Sequence, residues 1–443
     1  MNNTEAHKTQ KQTGTQSVQS ENPEKSVIQT MRRYSEYKDS GIEWVGQIPR
    51  RWNVKPLFSI AKLVSTSECE DKELLSVYLD KGVIKFSDVN EKRTNATSED
   101  LSKYQLVKPG NLVLNNQQAW RGSVGVSKFE GIVSPAYIVL ALSNEIDPIY
   151  ANYIFRDPSM VSYYLISSKG VGTIQRNLYW PQLKRASIWI PPLPEQTAIA
   201  AFLDRKTALI DKAIAIKQKQ IELLKERRQI LIQRAVTRGL NPNAKLKDSG
   251  VEWIGEIPEG WEVIHLRRLF KFLNTKRVPL SGEEREKMQG EYPYYGASGI
   301  IDYVNDYLFD DTLILIAEDG ANLLSKSTPL AFIAQGKYWV NNHAHILKPM
   351  LPGFEFWSEL LSSVDYTIYI SGAAQPKLTM DRLASVKLPV PPKEQIINIC
   401  EYILNISDKI YSTLNIKKQE IEKLKEYKAT LINEVVTGKV KVC

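Results

Sequence analysis

The chain has 443 residues, 43% of them hydrophobic and 24% charged, a balance that excludes a disordered protein and leaves room for two or three globular domains. Its formal net charge of +8 favours a polyanionic partner, although many basic proteins never bind nucleic acid. Because its three cysteines form no CxxC pair and no run of about 18 apolar residues exists, we expect neither disulfides, zinc site nor membrane span, and a location in the reducing cytoplasm.

The N-terminal region precedes a repeated motif. Residues 1–33 are rich in Gln, Thr, Ser, Asn and Lys with almost no large apolar side chains, so they are predicted to be a flexible tail. Residues 39–49 then read DSGIEWVGQIP and are followed by Trp52. Residues 248–258 read DSGVEWIGEIP and are followed by Trp261. Self-similarity of this kind indicates a duplicated architecture.

A long helix is predicted after each copy of a second repeat. GTIQRNLYWPQL at 172–183 and GAAQPKLTMDRL at 372–383 both lead into a proline-rich turn, ending at Gln196 and Gln395. Proline is accepted at the entry of a helix but not in its interior, so a helix should begin near each Glu-Gln pair. Both helices carry apolar residues alternately four and three positions apart, as a coiled-coil seam requires. The apolar seam residues are Ile210, Ile214, Ile221, Leu224 and Leu231, then Ile410, Leu414, Ile421, Leu424, Leu431 and Val435.

Basic residues interrupt both seams at the same two steps. They are Lys217 and Arg228 in the first helix, and Lys417 and Lys428 in the second. A single amphipathic helix is usually explained by packing on its own domain. Two matching seams instead favour pairing of the helices with each other, because pairing buries both seams at once.

Two segments between the repeats, about 53–171 and 262–371, show no comparable identity to each other. Short β-rich runs alternate with turn signals in both, so each is predicted to be a mixed α/β module. The predicted fold class is α+β, with a pseudo-twofold internal repeat. The predicted domains are the tail (1–33), a first module (34–190), a central repeated region with a long helix (191–247), a second module (248–388) and a C-terminal repeated region with a long helix (389–443).

In this order, the duplicated DSGxEWxGxIPxxW and GxxQxxL motifs, with a Pro-Pro turn before each long helix, resemble the specificity subunits of type I restriction-modification enzymes. The resemblance covers the chain from about residue 34 to 443. It implies two α/β target recognition domains separated by two long helices that form an antiparallel coiled coil, each domain reading one half of a site in double-stranded DNA. It also implies two methyltransferase subunits docked on the helices, a restriction (translocase) subunit joining through them, and no membrane association.

Candidate DNA contacts are side chains that match base edges, chiefly Asn or Gln for adenine and Arg or Lys for guanine. One polar run, which a plain surface loop would also explain, contains Asn115, Asn116, Gln117, Gln118, Trp120 and Arg121. The second repeat, which a scaffold turn would also explain, contributes Gln175, Arg176, Asn177, Gln375 and Lys377. Side chains of the second module that look exposed are Tyr294, Tyr295, Ser298, Asn341, Asn342 and His343, although core tyrosines are common.

Catalytic chemistry is not visible in the sequence. His343 and His345 would share one face of a predicted strand, but no third metal ligand lies nearby, and no metal site is predicted. Glu318 and Asp319 are interpreted as a turn after a strand. There is no Walker-type phosphate loop, no glycine-rich nucleotide turn and no N/D/S-P-P-Y/F tetrapeptide for holding a flipped adenine. The chain is therefore predicted to be a non-catalytic subunit without a cofactor.

Two other classes stay open: a fused restriction enzyme, whose catalytic motifs are missing, and a generic coiled-coil scaffold with unrelated binding heads. The seam from Ile210 to Ala235 covers 25 residue steps, or about 38 Å of helix. That length is close to one turn of B-DNA, about 34–36 Å. The predicted target is two short, unlike half-sites separated by an unread spacer.

Overall fold

The computed structural model of the chain describes residues 31–88, 100–171, 175–319, 322–325, 328–372 and 376–442. The chain divides into two compact units, Met1–Ala215 with Glu420–Cys443, and Ile216–Gln419. Nearly all of the predicted tail, residues 1–30, lies outside the described residues. None of the described helices has both the length and the apolar character that crossing a membrane requires.

The first unit consists of short strands and helices and includes part of each long helix. Its strands are β1 (Tyr37–Asp39), β2 (Gln47–Pro49), β3 (Asn53–Pro56), β4 (Ala61–Val64), β5 (Leu75–Tyr78), β6 (Gly82–Lys85), β7 (Gln105–Val107), β8 (Asn111–Asn115), β9 (Val124–Val126), β10 (Gly131–Val133), β11 (Tyr137–Leu142), β12 (Ser168–Val171), β13 (Gln175–Leu178) and β14 (Ser187–Ile190). Its helices are α1 (Leu57–Ile60), α2 (Pro148–Ile154), α3 (Pro158–Ile166), α4 (Trp180–Leu183) and the first part of α5 (Leu193–Arg238).

The second unit is built in the same way from the second half of the chain. Its strands are β15 (Leu246–Asp248), β16 (Glu256–Pro258), β17 (Glu262–His265), β18 (Phe270–Phe272), β19 (Gln289–Gly296), β20 (Gly299–Val304), β21 (Phe309–Asp310), β22 (Leu313–Ala317), β23 (Ala331–Ala334), β24 (Lys337–Val340), β25 (Ala344–Pro349) and β26 (Lys387–Val390). Its helices are α6 (Gly282–Lys287), α7 (Asn322–Ser325), α8 (Phe354–Ser363), α9 (Met380–Ser385) and the first part of α10 (Lys393–Val436).

Both units contain the same set of sheets, which we call the shared frame. In the first unit it comprises the antiparallel sheet β4-β11-β8-β9 and the pairs β1-β2 and β3-β14. In the second unit it comprises β18-β25-β22-β23 and the pairs β15-β16 and β17-β26. The second unit also has the sheet β20-β19-β24-β21, in which β19 and β24 run parallel. The predicted α+β fold with an internal repeat is confirmed, and the repetition extends into the modules whose sequences differ.

The DSG motif forms the same turn in both units. The Asp39 side chain accepts a hydrogen bond from Gly41 N (2.9 Å), and Asp248 accepts one from Gly250 N (3.0 Å). Both glycines have positive φ angles, 72° and 66°, which residues with a Cβ atom rarely adopt. The repeated Asp and Gly are therefore required by one turn geometry.

The tryptophan that ends each motif ties the frame to a long helix. Trp52 and Trp261 are buried, and their indole N–H groups donate to Glu195 Oε1 (3.1 Å) and Gln395 Oε1 (2.9 Å). The helices begin at Leu193 and Lys393, close to the predicted Glu-Gln positions. Residues with the same structural role in the two long helices lie 200 positions apart, so Glu195 corresponds to Gln395. The Glu-Gln pair of the first helix (195–196) is therefore shifted by one position from the Glu-Gln pair of the second (394–395).

The predicted seam is the buried face of both long helices. Exposed leucines next to it, such as Leu209 and Leu223, show that burial follows the seam and not apolar character alone. The buried or half-buried seam residues are Ile210, Ile214, Ile221, Leu224 and Leu231 on α5, and Ile410, Leu414, Ile421, Leu424, Leu431 and Val435 on α10. The predicted packing of the two helices along this seam is confirmed.

In the first unit, the contacts fix the direction of the helix pair. Lys428 Nζ of α10 lies 2.7 Å from Asp211 Oδ2 of α5. Trp189, which precedes α5, donates its indole N–H to Val436 O at the end of α10 (2.7 Å). Earlier residues of one helix therefore meet later residues of the other, and the pair is antiparallel.

In the second unit, Arg228 of the α5 seam connects three elements. Its Nε donates to Ser407 Oγ of α10 (3.2 Å), its Nη2 lies 2.7 Å from Glu359 Oε1 of α8, and its guanidinium stacks 5.5 Å from the Tyr411 ring centroid. This basic residue interrupts the apolar seam, yet its charge is paired at a half-buried position, which limits the cost of burying it.

Candidate nucleic-acid interface

In each unit, a variable loop lies beside the repeated loop, of which the structure describes residues 175–178 in the first unit and 376–378 in the second. The variable loop starts at Asn116, after β8, in the first unit and at Glu318, after β22, in the second; β8 and β22 are inner strands of the shared frame. Leu178 N donates to Asn116 O (3.0 Å), and Leu378 N donates to Glu318 O (2.8 Å). Equivalent backbone hydrogen bonds thus bring different side chains to equivalent places.

In the first unit, two arginines surround Trp120. The Arg121 guanidinium is 4.5 Å from the Trp120 ring centroid, and that of Arg176, from the repeated loop, is 5.7 Å away. The indole N–H donates to Gln117 O (2.9 Å), which fixes the ring. The structure therefore brings together candidates that lie about 55 residues apart in the sequence, and stacking holds the guanidinium planes in place.

The neighbouring amides are partly used by the loop itself. Asn115 Oδ1 accepts from Gln117 N (3.1 Å), and Asn115 Nδ2 donates to the Tyr137 hydroxyl (3.5 Å). Asn116 Oδ1 is buried without a hydrogen-bond partner in the described part of the chain. Gln117 is exposed and Gln118 is half-buried. Asn115 therefore shapes the loop, while Gln117 faces solvent.

In the first unit, the described part of the repeated loop is β13 (Gln175–Leu178), the second strand of an antiparallel hairpin whose first strand is β12 (Ser168–Val171). Asn177 pairs with Lys169 across the hairpin and is exposed, and Lys169 Nζ lies 3.9 Å from the Tyr179 ring centroid. Gln175 pairs with Val171 through its backbone, and nothing is described of its side chain. The remaining candidate of this type, Gln375, lies outside the described residues. Lys169 is a cation on this surface that no sequence motif indicated.

In the second unit, the same place is occupied by an ion-pair network. Glu318 Oε2 lies 2.6 Å from Arg277 Nη1, and Glu318 Oε1 lies 3.3 Å from Lys377 Nζ. Burial alone would raise the pKa of the Glu318 carboxyl, but the hydrogen bond from Arg277 and the neighbouring positive charges hold that pKa below its ordinary value. The interpretation of Glu318 as part of a turn therefore missed these ion pairs. No local sequence pattern connects Arg277 to Glu318, which lies 41 residues later.

The two histidines do not share one face, because His343 lies in a turn and only His345 is in β25. His343 is exposed, with Nδ1 2.8 Å from Asp319 Oδ2. His345 is buried, with Nε2 2.7 Å from Leu378 O and Nδ1 2.8 Å from Asn274 Nδ2. The predicted same-face arrangement is wrong. Within the described ranges, no group of three or more His, Cys, Asp or Glu residues is placed to hold a metal ion.

The other candidates of the second module divide by burial. Tyr294 is buried, and its hydroxyl accepts from Leu280 N (3.0 Å); Asn341 is buried, and its Oδ1 accepts from His343 N (2.8 Å). The expected exposure is wrong for these two. Tyr295 is half-buried against Phe332 and Tyr338. The exposed members are Ser298, Asn342, His343 and Lys377.

We expect acidification to destabilise the second unit through His345. Burial lowers the pKa of the His345 ring, whereas the pKa of a histidine in the unfolded chain is about 6.5. Between these two values the unfolded chain binds more protons than the folded chain, so stability falls as the pH drops below about 6.5. His345→Gln should flatten the pH dependence of the thermal midpoint between about pH 7 and 5. Identical pH profiles for the parent and His345→Gln would contradict this assignment.

The chain is similar to known proteins in both sequence and fold. A family model described as "Type I restriction modification DNA specificity domain" matches residues 49–226 and again residues 258–426. A putative type I restriction enzyme MjaX specificity subunit of Methanocaldococcus jannaschii is 25% identical over 440 residues, covering 90% of this chain and 96% of that protein. The MjaVIII specificity subunit of the same organism is 26% identical, covering 77% of this chain and 83% of its own length.

Solved structures agree with the fold. A chain from a study titled as the structural basis of complex assembly and conformational transition of the type I R-M system aligns with a TM-score of 0.63. The alignment covers 88% of this chain and 98% of the other, at 14% sequence identity. At this identity the likeness concerns the fold alone.

Proposed function

This chain belongs to the type I restriction modification DNA specificity family, and from that membership we propose that it reads a bipartite site in double-stranded DNA and directs methyltransferase and restriction subunits to it. Its curated relatives are specificity subunits, the non-catalytic recognition component of such systems. We assign the first reader to residues 34–190 and the second to 248–388, with the repeated regions 191–247 and 389–443 between and after them. We propose a cytoplasmic location, where the chain has access to cellular DNA.

One observation carries this proposal: equivalent frames present different side chains. The hydrogen bonds from Leu178 to Asn116 and from Leu378 to Glu318 are alike. Beside them, the first reader carries a cluster of Trp120, Arg121 and Arg176, and the second carries Arg277, Glu318 and Lys377. A scaffold that holds unlike loops in like positions is suited to two unlike half-sites.

The chemistry of both surfaces suits DNA. Guanidinium and ammonium groups bind phosphates or the guanine edge, and amides bind the adenine edge. Contacts are proposed for the exposed or half-buried members of the candidate set, namely Asn116, Gln117, Gln118, Trp120, Arg121, Arg176, Asn177, Tyr295, Ser298, Asn342, His343 and Lys377. Gln175 and Gln375 stay in the candidate set on sequence grounds. Three candidates are assigned a supporting role: Tyr294 and Asn341 because they are buried, and Asn115, although half-buried, because its side chain is bonded within the fold.

The partners follow from the family and from the helices. We propose that two methyltransferase subunits dock on the α5–α10 pair and that the restriction subunit joins through them. Since the sequence offers no catalytic motif, labelled methyl transfer should require those subunits.

A gel shift with short duplexes separates this function from a generic coiled-coil scaffold. The chain, assembled with its methyltransferase partner, should bind duplexes containing the methylated site of the host at least about 1,000-fold more tightly than unrelated duplexes at physiological salt. Equal binding to both kinds of duplex, with the complex intact, would refute the proposal.

A further inference from the structure

Glu318 connects three segments of the second reader through its backbone. It follows β22, its N–H donates to His343 O (2.9 Å), and its carbonyl oxygen accepts from Leu378 N (2.8 Å). The strand end, the turn before β25 and the repeated loop are therefore joined at a single residue.

The Glu318 carboxylate contacts the repeated loop a second time, through Lys377, and also contacts Arg277 from an earlier segment. It lies between Arg277 Nη1 (2.6 Å) and Lys377 Nζ (3.3 Å). The side chains of Glu318 and Arg277 are only 12% and 16% exposed, whereas that of Lys377 is 53% exposed. The carboxylate is thus an internal anchor for a lysine whose end reaches solvent.

Arg277 extends this connection to the turn. Its Nη1 also donates to Ala344 O (2.8 Å) and Asn342 O (3.2 Å). Because the guanidinium is planar and rigid, it fixes the carboxylate relative to the turn that carries the exposed Asn342 and His343. The ammonium of Lys377 is held in the same arrangement.

We propose that Glu318 is a positioning residue of the second reader, whose carboxylate holds Lys377 in a fixed place beside the turn of Asn342 and His343. This inference rests on the proposed function and identifies what sets discrimination at the second half-site. The ion pair with Glu318 holds the Lys377 ammonium in one place and weakens its attraction for phosphates that lie elsewhere, although the group of Arg277, Glu318 and Lys377 keeps a net positive charge. Groups held before binding also lose less entropy when the correct site is bound.

In the first reader, the residue at this position of the frame is an uncharged amide. Asn116 occupies the position equivalent to Glu318, and the arginine of its repeated loop, Arg176, stacks on Trp120. The two readers therefore fix the cation of the repeated loop by different means, a carboxylate in one and an aromatic ring in the other.

The test is Glu318→Gln, which keeps the shape of the side chain and removes its charge. Glu359→Gln is the matched control, since Glu359 forms a half-buried ion pair with Arg228 in the same unit and takes no part in the candidate interface. Both variants are assembled with the methyltransferase subunits. Binding is measured over a range of salt concentrations for the cognate duplex and for duplexes with either half-site scrambled.

For Glu318→Gln we expect discrimination at the second half-site to fall roughly tenfold, while discrimination at the first stays unchanged. Affinity for fully scrambled DNA should rise, and the slope of log affinity against log salt should steepen by about one, because Lys377 becomes available to phosphates. Adding Lys377→Gln should restore the parental slope. Glu359→Gln should match the parent in discrimination at both half-sites.

Unchanged discrimination in Glu318→Gln would overturn the proposal. So would a loss of affinity for all duplexes together with a lower melting temperature, since that pattern means a structural role only. A parent complex that binds all duplexes alike would refute the proposed function itself. If the parent complex discriminates between the duplexes, the comparison with Glu318→Gln tests only the positioning role of Glu318.

Discussion

Replacing Ile221 and Leu224 together by Asp should separate α5 from α10 in the second unit and abolish assembly with the methyltransferase subunits. Ile221 is buried and Leu224 half-buried in the seam. Leaving unpaired charge in such an interface costs on the order of 4 kcal/mol. For a unit of this size, that loss corresponds to a melting temperature lower by roughly 10 °C.

Melting is followed by calorimetry and assembly by size-exclusion chromatography of the full chain with its partner. The matched control is the double variant Gln220→Asp and Gln229→Asp, which adds the same charge at exposed positions of the same helix. The control should melt and assemble like the parent. A seam variant that does the same would show that the seam does not hold the helices together.

Exchanging residues 53–171 for the matching segment of a relative should change one half-site and leave the other intact. The segment starts with β3 and ends with β12, so it carries the whole variable loop after β8. Within the segment, β3 pairs with β14 through backbone groups, so the exchange keeps the register of that pair. With each mismatched base pair costing about 1–3 kcal/mol, methylation at the parental half-site should fall more than about a hundredfold.

The complementary exchange of residues 262–371 should change the other half-site. Both exchanges are read by sequencing methylated DNA from cells that carry the complete system. A change in both half-sites after a single exchange would contradict independent reading by two modules.

The long helices were predictable because their signal is local and periodic. Apolar residues four and three positions apart can line only one face of a helix, and that face is buried from Ile210 to Leu231 and from Ile410 to Val435. The duplicated interruptions, such as Arg228, found polar partners in the structure.

The shared frame was not predictable from the variable modules. Sheet order depends on which distant strands pair, and many different apolar sequences satisfy the same order. For example, Val139 pairs with Val64 in the first unit, and the corresponding sheet of the second unit pairs Phe270 with Pro349. Identity between the segments is therefore a poor guide to their common fold.

The candidate interface was predictable only in part. Residue type indicated Trp120 and Arg176, and the fold brought them together. No local pattern indicated that Arg277 would pair with Glu318, because charge pairing across 41 residues depends on tertiary structure. The burial of Tyr294 and Asn341 was likewise not predictable from the sequence. A polar side chain can be buried wherever the fold supplies a hydrogen-bond partner, as it does for both residues.

The central claim is that two different readers in one chain specify one bipartite site, and a genome-wide map of methylated adenines tests it most directly. The map is made in cells carrying the complete system and in cells lacking only this chain. We predict a single motif of two short, unlike half-sites separated by an unread spacer, and its disappearance when the chain is absent. A continuous motif, or methylation that persists without the chain, would contradict the account.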